Sequence, residues 1–160
     1  AYLAGGEYAR IGLSLLGNNP WQEQYGIAFA LTELAAEFAA LCGDWQEMES
    51  RVGEVVTNSH TLVERANVYR ISIQTNVSRH QLAEAIAIAL DFLQQLDVTF
   101  PENPTEADIE NAIASVRELM ADREVENLLD LPEMQDADKI AIVQIAQSII
   151  PVAYMSNPQL

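Results

Sequence analysis

The sequence predicts an all-α protein of about seven helices that pair as antiparallel hairpins. Apolar residues recur every three or four positions along almost the whole chain, as they do on one face of a helix. Residue types that cap helix starts stand in front of these segments, and alternating strand patterns are scarce. The connections between segments are only a few residues long, so we expect successive helices to be antiparallel neighbours.

Capping residues mark the predicted helix starts. Asn19 stands before Pro20, and a proline at the first helical position costs no hydrogen bond because that N–H has no partner within the helix. Further pairs have the spacing of a capping box, in which two side chains bond each other's backbone N–H groups. These pairs are Asp44 with Glu47, Thr61 with Glu64, Ser78 with Gln81 and, more loosely, Thr105 with Asp108, and Asp136 precedes the last apolar segment.

The apolar positions between these starts indicate which helix faces are buried. Residues 21–42 are apolar nearly all round, which predicts a helix packed on more than one side. Residues 82–96 and 109–120 each carry one apolar stripe opposite a polar face. We therefore predict helices over residues 2–16, 20–42, 45–58, 62–76, 79–97, 105–121 and 137–155, with a short turn near 123–130.

The spacing of two caps predicts a repeat. Asp44 and Ser78 lie 34 residues apart, which is the period of a tetratricopeptide-type helix pair. Aligned at that spacing, Met48 corresponds to Leu82. Small residues and Gly43 before the first cap suit two closely packed antiparallel helices. We therefore expect tetratricopeptide-like hairpins that stack into an α-α superhelix.

Composition narrows the function classes. The 160 residues are 49% apolar and 20% charged, which is typical of one soluble globular domain. We assign helix pairs to residues 1–100 and an acidic helical part to residues 101–160 of that domain. No uninterrupted apolar run reaches the roughly 18 residues of a membrane span, and neither a start methionine nor a signal peptide is visible. We therefore expect a cytoplasmic fragment of a larger protein, and the single cysteine, Cys42, is compatible with that compartment.

Negative charge dominates the chain. The formal net charge of −16 disfavours nucleic acid and anionic membranes as partners. Half of the 24 acidic residues fall between Pro101 and Asp138, where Arg117 and Arg123 are the opposing charges. This segment is interpreted either as a solvated acidic face that keeps the protein soluble or as a docking surface for a basic partner.

His60 is the first residue to consider for chemistry, because Ser59-His60 has the opening of the phospho-acceptor motif of sensor histidine kinases. In that motif an acid follows the histidine, and arginine and proline stand three and five places further on. Here those positions hold Thr61, Val63 and Arg65. The residues also fall at a predicted helix junction rather than within a long helix, so we assign His60 a structural role.

Motifs for metal, nucleotide and hydrolytic chemistry are missing. His60 and His80 lie far apart in sequence, without a C-x-x-C, H-E-x-x-H or E-x-x-H pattern. No glycine-rich phosphate loop is present, and the only lysine, Lys139, stands among acids. The acids of residues 130–138 lack Asp-Asp-x-x-Asp spacing, and Ser14 misses a Gly-x-Ser-x-Gly elbow by one residue. We therefore expect no catalytic residue, metal or cofactor in this chain.

Aromatic residues supply the candidate contacts with a protein partner. Trp21 with Tyr25, and Tyr69 with Ile73, are spaced four residues apart on predicted helices. Such pairs fit helix–helix packing, and they also fit the lining of a concave groove. Trp21, Tyr25 and Tyr69 are our candidate partner-contact residues.

Several segments together carry a family resemblance. They are Trp21 with Tyr25, AEFAALCGDW (36–45), VYRISI (68–73), AEAIAIALDFLQQLDVTFP (83–101), LLDLPEM (128–134) and AYMSNPQL (153–160). They resemble the tetratricopeptide-like helical region of cyanobacterial-type multi-domain kinases, with its pattern Ala-Ile-x-x-Gly-Leu-x-x-Leu-x-x-Leu-Gly-Ile-x-Leu-Pro. The matching positions are Ala85, Ile86, Leu90, Leu93, Leu96, Val98 and Pro101, while Ala89 and Asp97 replace the glycines and Phe100 the later leucine.

In that family the helical region accompanies a serine/threonine-kinase-like domain, an AAA-type ATPase, and sensor and histidine-kinase domains of two-component type. The resemblance implies a signal-transduction protein whose catalytic residues lie in other domains. It implies that this region is non-catalytic and mediates contacts between domains or with a protein partner. An all-α small-molecule-binding domain, or an enzyme with a pocket inside the bundle, is the alternative, although few polar residues converge on the apolar stripes.

Overall fold

The computed structural model describes residues 2–101, 104–121 and 125–156. These residues form α-helices and one 3-10 helix, with no strand among them, which confirms the all-α class. Arg123 and residues 157–160 lie outside the described ranges. The helices are α1 (Tyr2–Ser14), α2 (Pro20–Glu23), α3 (Tyr25–Cys42), α4 (Trp45–Asn58), α5 (Leu62–Ser78), α6 (Leu82–Gln95), α7 (Glu106–Met120), the 3-10 helix Val125–Asp130, and α8 (Ala137–Ser156).

The helices stack as a row of hairpins. α3 packs on α4, α4 on α5, and α5 on α6, and α1 packs on α3 ahead of them. α3 also contacts α5 directly, and α8 packs on both α5 and α6. Every second helix of the row, α3, α5 and α8, therefore touches the next one as well as the helix between them. The predicted hairpin of residues 20–42 with 45–58 is confirmed as α3 with α4.

A left-handed residue turns the chain at the end of each hairpin's first helix. After α3 the backbone of Gly43 has φ of 78°, and the Asp44 N–H donates to the Ala39 carbonyl at 2.9 Å. After α5 His80 has φ of 59°, and the Gln81 N–H closes the same kind of turn. This hydrogen-bond pattern satisfies helix carbonyls that would otherwise lack a partner.

The corner at His80 corrects two sequence predictions. Ser78 does not cap α6, because α5 continues through Ser78 and the serine hydroxyl donates to the Thr75 carbonyl at 2.7 Å. Gln81 is the residue that precedes α6, and it makes no side-chain cap hydrogen bond. The predicted start at residue 79 is therefore three residues early. The left-handed backbone at His80 determines where α6 begins, and the spacing of Ser78 and Gln81, which resembles a capping box, does not.

The structural repeat is 37 residues, not 34. Gly43 and His80, the two corner residues, are 37 positions apart, and so are the starts of α4 and α6 at Trp45 and Leu82. At this spacing Met48 corresponds to Ala85 rather than to Leu82, and both Met48 and Ala85 are buried. The repeat is therefore seen in the positions of the corner residues and of the buried residues. The side chains at positions 37 residues apart are very different.

The predicted helix over residues 20–42 is interrupted at Gln24, whose φ of −139° and ψ of 42° are not helical. The side chain of Gln24 turns back to donate to the Leu16 carbonyl at 3.2 Å. Trp21 lies on the short helix α2, and its indole N–H donates to Glu54 on α4. Contacts to other helices thus favour a break that the local sequence does not indicate.

α3 occupies the centre of the N-terminal half, and its buried side chains are small. α1, α2, α4 and α5 all pack against it, which confirms the prediction of packing on more than one side. Its buried residues are Ala28, Thr32, Ala35, Ala36 and Ala39. Because these side chains occupy little volume, the backbones of the neighbouring helices approach α3 closely.

Larger side chains fill the core of the C-terminal half. Phe92 and Leu93 of α6 are fully buried against Ile73 of α5. Ile145 and Ile149 on α8 close the same cluster. The acidic C-terminal part of the chain thus contributes its last helix to the main body rather than forming a separate unit.

Within the described part of the chain, α7 does not pack extensively against the helices that precede and follow it. We predicted that successive helices would pack together, but α7 makes no extensive contact with any other helix in the described ranges. α8 takes the place beside α5 and α6 instead. The prediction fails here because α7 is joined to α8 by 16 residues, whereas the helices of the hairpins are joined by connections short enough to enforce pairing.

Replacing Gly5 by alanine is expected to destabilise the protein. A methyl group on Gly5 would lie 2.5 Å from Cζ of Phe38 on α3, so the ring would have to leave its place or α1 would have to move away. Overpacking of this kind costs about 1–3 kcal/mol, against a gain of about 0.5–1 kcal/mol from the helix propensity of alanine. Each kcal/mol of net loss lowers the unfolding midpoint by about 2–4 °C. Thermal unfolding followed by circular dichroism measures the change.

Gly53 in α4 provides the matched control for this substitution. A methyl group there meets no atom within 4 Å. Gly53→Ala should therefore stabilise the protein by about 0.5–1 kcal/mol through helix propensity alone. If Gly5→Ala and Gly53→Ala raised the midpoint equally, the close approach of α1 and α3 would be wrong.

Candidate functional site

Aromatic rings gather where α3 begins and where α4 connects to α5. We call this group, Trp21, Tyr25, Phe29 and His60, the aromatic corner. The Tyr25 ring stacks on the His60 imidazole with the centroids 3.9 Å apart and the planes at 9°. Trp21 meets Tyr25 edge-on at 5.8 Å, and Phe29 stacks on it at 6.0 Å. Tyr25 therefore joins the start of α3 to the α4–α5 connection.

One carboxylate oxygen of Glu64 accepts three hydrogen bonds at this corner. Oε2 of Glu64 accepts from the Tyr25 hydroxyl at 2.7 Å, from the His60 N–H at 2.7 Å and from the Thr61 N–H at 3.2 Å. The Thr61 hydroxyl accepts from the Glu64 N–H in return, which confirms the predicted capping box of α5. These bonds satisfy N–H groups that the first turn of a helix leaves without partners.

The two acidic groups of the corner have pKa values shifted away from neutral pH. Burial and the hydrogen bond to Glu64 raise the pKa of Tyr25 above its usual 10.0. Burial alone would raise the pKa of Glu64, but the hydrogen bonds from Tyr25, His60 and Thr61 outweigh it and lower that pKa below 4.5. A general acid or base works best with a pKa near the working pH. Tyr25 therefore stays protonated and Glu64 stays ionised, as a structural hydrogen bond requires.

Trp21 is held by a second carboxylate. Its indole Nε1–H donates to Oε1 of Glu54 at 2.9 Å, and Oε2 of Glu54 accepts from Arg51 at 2.9 Å. Arg51 also donates to Glu47 at 2.8 Å, and its side chain is only 23% exposed. α2 is thus attached to the polar face of α4 through the indole N–H, and the two ionic hydrogen bonds of Arg51 lie within α4.

The structure separates the three candidate contact residues. Trp21 and Tyr25 lie together in the aromatic corner, with their N–H and O–H groups bonded to Glu54 and Glu64. Tyr69 lies elsewhere, and its ring packs 4.6 Å from the Phe92 ring at the C-terminal core. All three rings are partly buried by other helices, so a partner would meet only their exposed edges.

His60 lies between α4 and α5, where the sequence placed it. It is exposed, its ring is stacked on Tyr25, and its backbone N–H is bonded to Glu64. It is not part of a long helix. Among the described residues, no group of three or more histidine, cysteine, aspartate or glutamate side chains is arranged to hold a metal ion.

Two surface clefts were not predicted from the sequence. One, of about 370 Å³, lies between α3 and α5 and is lined by both helices and by Trp45 at the start of α4. The other, of about 440 Å³, lies between α1, α3 and α4. Their positions depend on which helices lie side by side. The one local signal in the sequence is a polar row on α5, with Asn67, Arg70 and Gln74 at helical spacing.

α3 has the length and composition of a helix that could span a membrane. It is long and apolar enough, by length and composition alone, to span a bilayer, although it contains Glu33 and Glu37. No other helix in the described part of the chain meets that test. A helix at the centre of a helical bundle meets it too, and α3 is contacted by four other helices.

Replacing Glu64 by glutamine should remove an acid-sensitive part of the stability. The folded-state pKa of Glu64 is lowered, so its contribution is complete above about pH 4.5 and is lost as the pH falls through the folded value. The wild type should therefore lose more stability than Glu64→Gln between about pH 6 and pH 3. At neutral pH we expect the variant to be about 1 kcal/mol less stable, as measured by urea unfolding.

Glu84→Gln is the matched control, because Glu84 stands at the third position of α6 just as Glu64 does in α5. The control should keep the wild-type difference in stability between the two pH values. Tyr25→Phe tests the alkaline side, since the raised pKa of Tyr25 gives stability that is lost as the pH rises above about 10. Equal acid sensitivity in Glu64→Gln and wild type would contradict the hydrogen-bonded corner.

No protein-family model matches this sequence. A search of curated proteins and a search of solved structures also found no match. The resemblance to the helical region of signalling kinases therefore stays a prediction from the sequence.

Proposed function

We propose that this chain is a non-catalytic interaction module of a multi-domain signalling kinase. It binds a segment of a protein partner, or of a neighbouring domain, in the groove between α3 and α5. The observation that supports this most strongly is the groove itself, which is formed where α3 and α5, alternate helices of the stacked row, lie side by side. Stacked helical hairpins present extended surfaces of this kind to their ligands.

The groove combines an apolar floor with a polar rim. Leu41 of α3 supplies exposed apolar surface, since its side chain is 52% exposed, whereas Ile71 of α5 lines the groove but is only 6% exposed. Burial of such surface by a partner would contribute about 25 cal/mol per Å² before the costs of association. An apolar segment laid along the groove would therefore gain free energy from contacts that the chain itself leaves to solvent.

The rim suits the backbone of an extended peptide. Arg70 donates to Oδ1 of Asn67 at 2.8 Å, so the Nδ2 donors of Asn67 remain for a partner's carbonyl groups. Gln74 follows on the same face one turn later, and Glu37 borders the groove from α3. Amide side chains both donate and accept, which is what an extended backbone with alternating N–H and C=O groups needs.

The kinase context rests on the family resemblance. In that family catalysis belongs to the kinase, ATPase and histidine-kinase domains, and the helical region supplies contacts. The aromatic corner is consistent with a non-catalytic role for this region. The pKa values of Tyr25 and Glu64 both lie away from neutrality, where a general acid or base would work poorly. A cytoplasmic location follows from this proposal and has the same support.

The alternative function, a small-molecule binder or enzyme, would use the larger of the two clefts described above. The cleft between α1, α3 and α4 has about 440 Å³, within the range of ligand sites. Its charged groups are already paired, however: Arg10 with Glu7 at 2.7 Å, and Arg51 with Glu47 at 2.8 Å. A ligand would have to break these pairs, so we favour the protein-binding function.

Reversing the charge of Arg70 should weaken peptide binding. Random peptides displayed on phage would be selected on the wild-type chain, and their dissociation constants measured by fluorescence anisotropy. Arg70→Glu should raise these constants several-fold, because it replaces a donor on the rim of the groove by an acid that repels the carbonyl oxygens of the peptide.

Arg10→Glu is the matched control, because Arg10 is also an exposed arginine on a helix with a partner three residues away. It should leave peptide affinity unchanged within about twofold at about 0.15 M salt. Equal losses in the two variants would contradict binding in the α3–α5 groove. Stabilisation of several degrees by a nucleotide or divalent metal would favour the small-molecule alternative.

The kinase context has its own test in the coding sequence upstream of Ala1. We expect it to encode motifs of a serine/threonine kinase and an AAA-type ATPase. A start codon directly before Ala1 would contradict this context, and it would leave the peptide-binding proposal to be decided by the Arg70 variant.

A further inference from the structure

α7 is an exposed helix that is well defined by its own sequence. Its capping box is complete: the Thr105 N–H donates to Asp108 at 2.8 Å, and the Asp108 N–H donates to the Thr105 hydroxyl at 3.3 Å. Acids stand in its first turn and Arg117 in its last, as the helix dipole favours. Nevertheless it makes no extensive contact with another helix of the described chain.

One face of α7 carries an apolar stripe that faces solvent. Ile109, Ile113, Val116 and Met120 recur at the spacing of a helix face that packs on a partner. Ile113 is 45% and Val116 60% exposed. In α3, α4, α5, α6 and α8, buried apolar residues lie instead in the cores of the two halves.

An isolated helix of this length is marginal in water. α7 has 15 residues, close to the length at which even favourable sequences are only partly helical without tertiary packing. Burial of an isoleucine or valine side chain contributes about 1.5–3 kcal/mol. A partner that covers Ile113 and Val116 would therefore stabilise both the helix and the complex.

Acidic side chains border the N-terminal half of this stripe, and Arg117 borders its C-terminal half. At 100° per residue, Glu106, Glu110 and Arg117 lie along one edge of the stripe, and Asp108 lies on the other side beyond Ala112 and Leu119. Hydrogen bonds from Thr105 lower the pKa of Asp108, so this carboxylate stays ionised at neutral pH. Glu118 lies on the opposite face.

The charge pattern selects among possible occupants of the stripe. A second copy would bring a formal charge of −16 against the same acids, and an anionic membrane would also repel them. A positively charged partner gains attraction from the acids in the first turns of α7 while its apolar residues cover the centre of the stripe. Helices meet along such stripes when their apolar faces are complementary.

We propose that α7 is a docking site for a basic amphipathic helix of another protein. The apolar face of that helix covers Ile113 and Val116, and its lysine or arginine side chains meet Asp108, Glu106 and Glu110. This site is separate from the α3–α5 groove and does not depend on the function proposed for that groove.

The probe is a synthetic helix-forming peptide of leucine and lysine, with leucines along one face and lysines elsewhere. Its affinity for the whole 160-residue chain would be measured by fluorescence anisotropy. Ile113→Asp should weaken binding about tenfold or more, because it places a charge in the apolar contact. Ala114→Asp adds the same charge to the outer face one position away, and it should change the affinity less than about threefold.

A second pair of variants isolates the charge contribution. Glu110→Lys reverses an acid at the edge of the stripe, and Glu118→Lys makes the same change on the opposite face. We expect Glu110→Lys to weaken binding several-fold more than Glu118→Lys, and we expect the difference to shrink when the salt rises from about 0.05 M to about 0.5 M. Arg70→Glu should leave this binding unchanged.

Each other outcome overturns the proposal. Equal losses for Ile113→Asp and Ala114→Asp would mean that the peptide binds the chain through net charge alone. A lower unfolding midpoint for Ile113→Asp than for Ala114→Asp would mean that the stripe packs on the chain's own body. Binding of the wild type to phosphatidylcholine vesicles that is lost in Ile113→Asp would assign the stripe to lipid.

Discussion

The small side chains of α3 are the constraint on which the arrangement of the N-terminal half depends. Ala28 and Ala36 are fully buried, and four helices pack around the same 18-residue cylinder. Larger side chains there would push these neighbours apart, because interiors are close-packed and adapt little to added volume. Thr32 fits this constraint, since its hydroxyl donates to the Ala28 carbonyl at 2.7 Å and leaves no polar group unsatisfied.

The two hairpin corners repeat the same helix arrangement further along the chain. Equivalent left-handed residues at Gly43 and His80 turn the backbone in the same way, so α5 and α6 repeat the geometry of α3 and α4. The side chains are not repeated: the second half buries Phe92 and Leu93 of α6, whereas α3 buries alanines and one threonine. Because the repeat depends on backbone geometry, its two copies can have very different core side chains. The side-chain pattern of the sequence therefore did not indicate the 37-residue spacing.

Sequence patterns predicted those features that depend on neighbouring residues. The capping boxes at Thr61 and Thr105 are confirmed because each involves hydrogen bonds within three residues, and so is the cap at Asp136. The break at Gln24 was missed because it depends on contacts with Leu16 and, through α2, with α4. The α3–α5 groove was missed for the same reason. It exists only when two helices far apart in sequence lie side by side.

The pairing of the few basic residues determines how the surface meets a partner. Arg10, Arg51 and Lys139 each lie within 4.0 Å of an acid on or beside their own helix. Arg79 reaches Glu49 at 3.9 Å and lies over the Trp45 ring. The positive charge of these four side chains is therefore neutralised locally, while the excess acid of the chain remains to set the field around the molecule. Such a field speeds the approach of basic partners and opposes self-association, whichever surface then makes the contact.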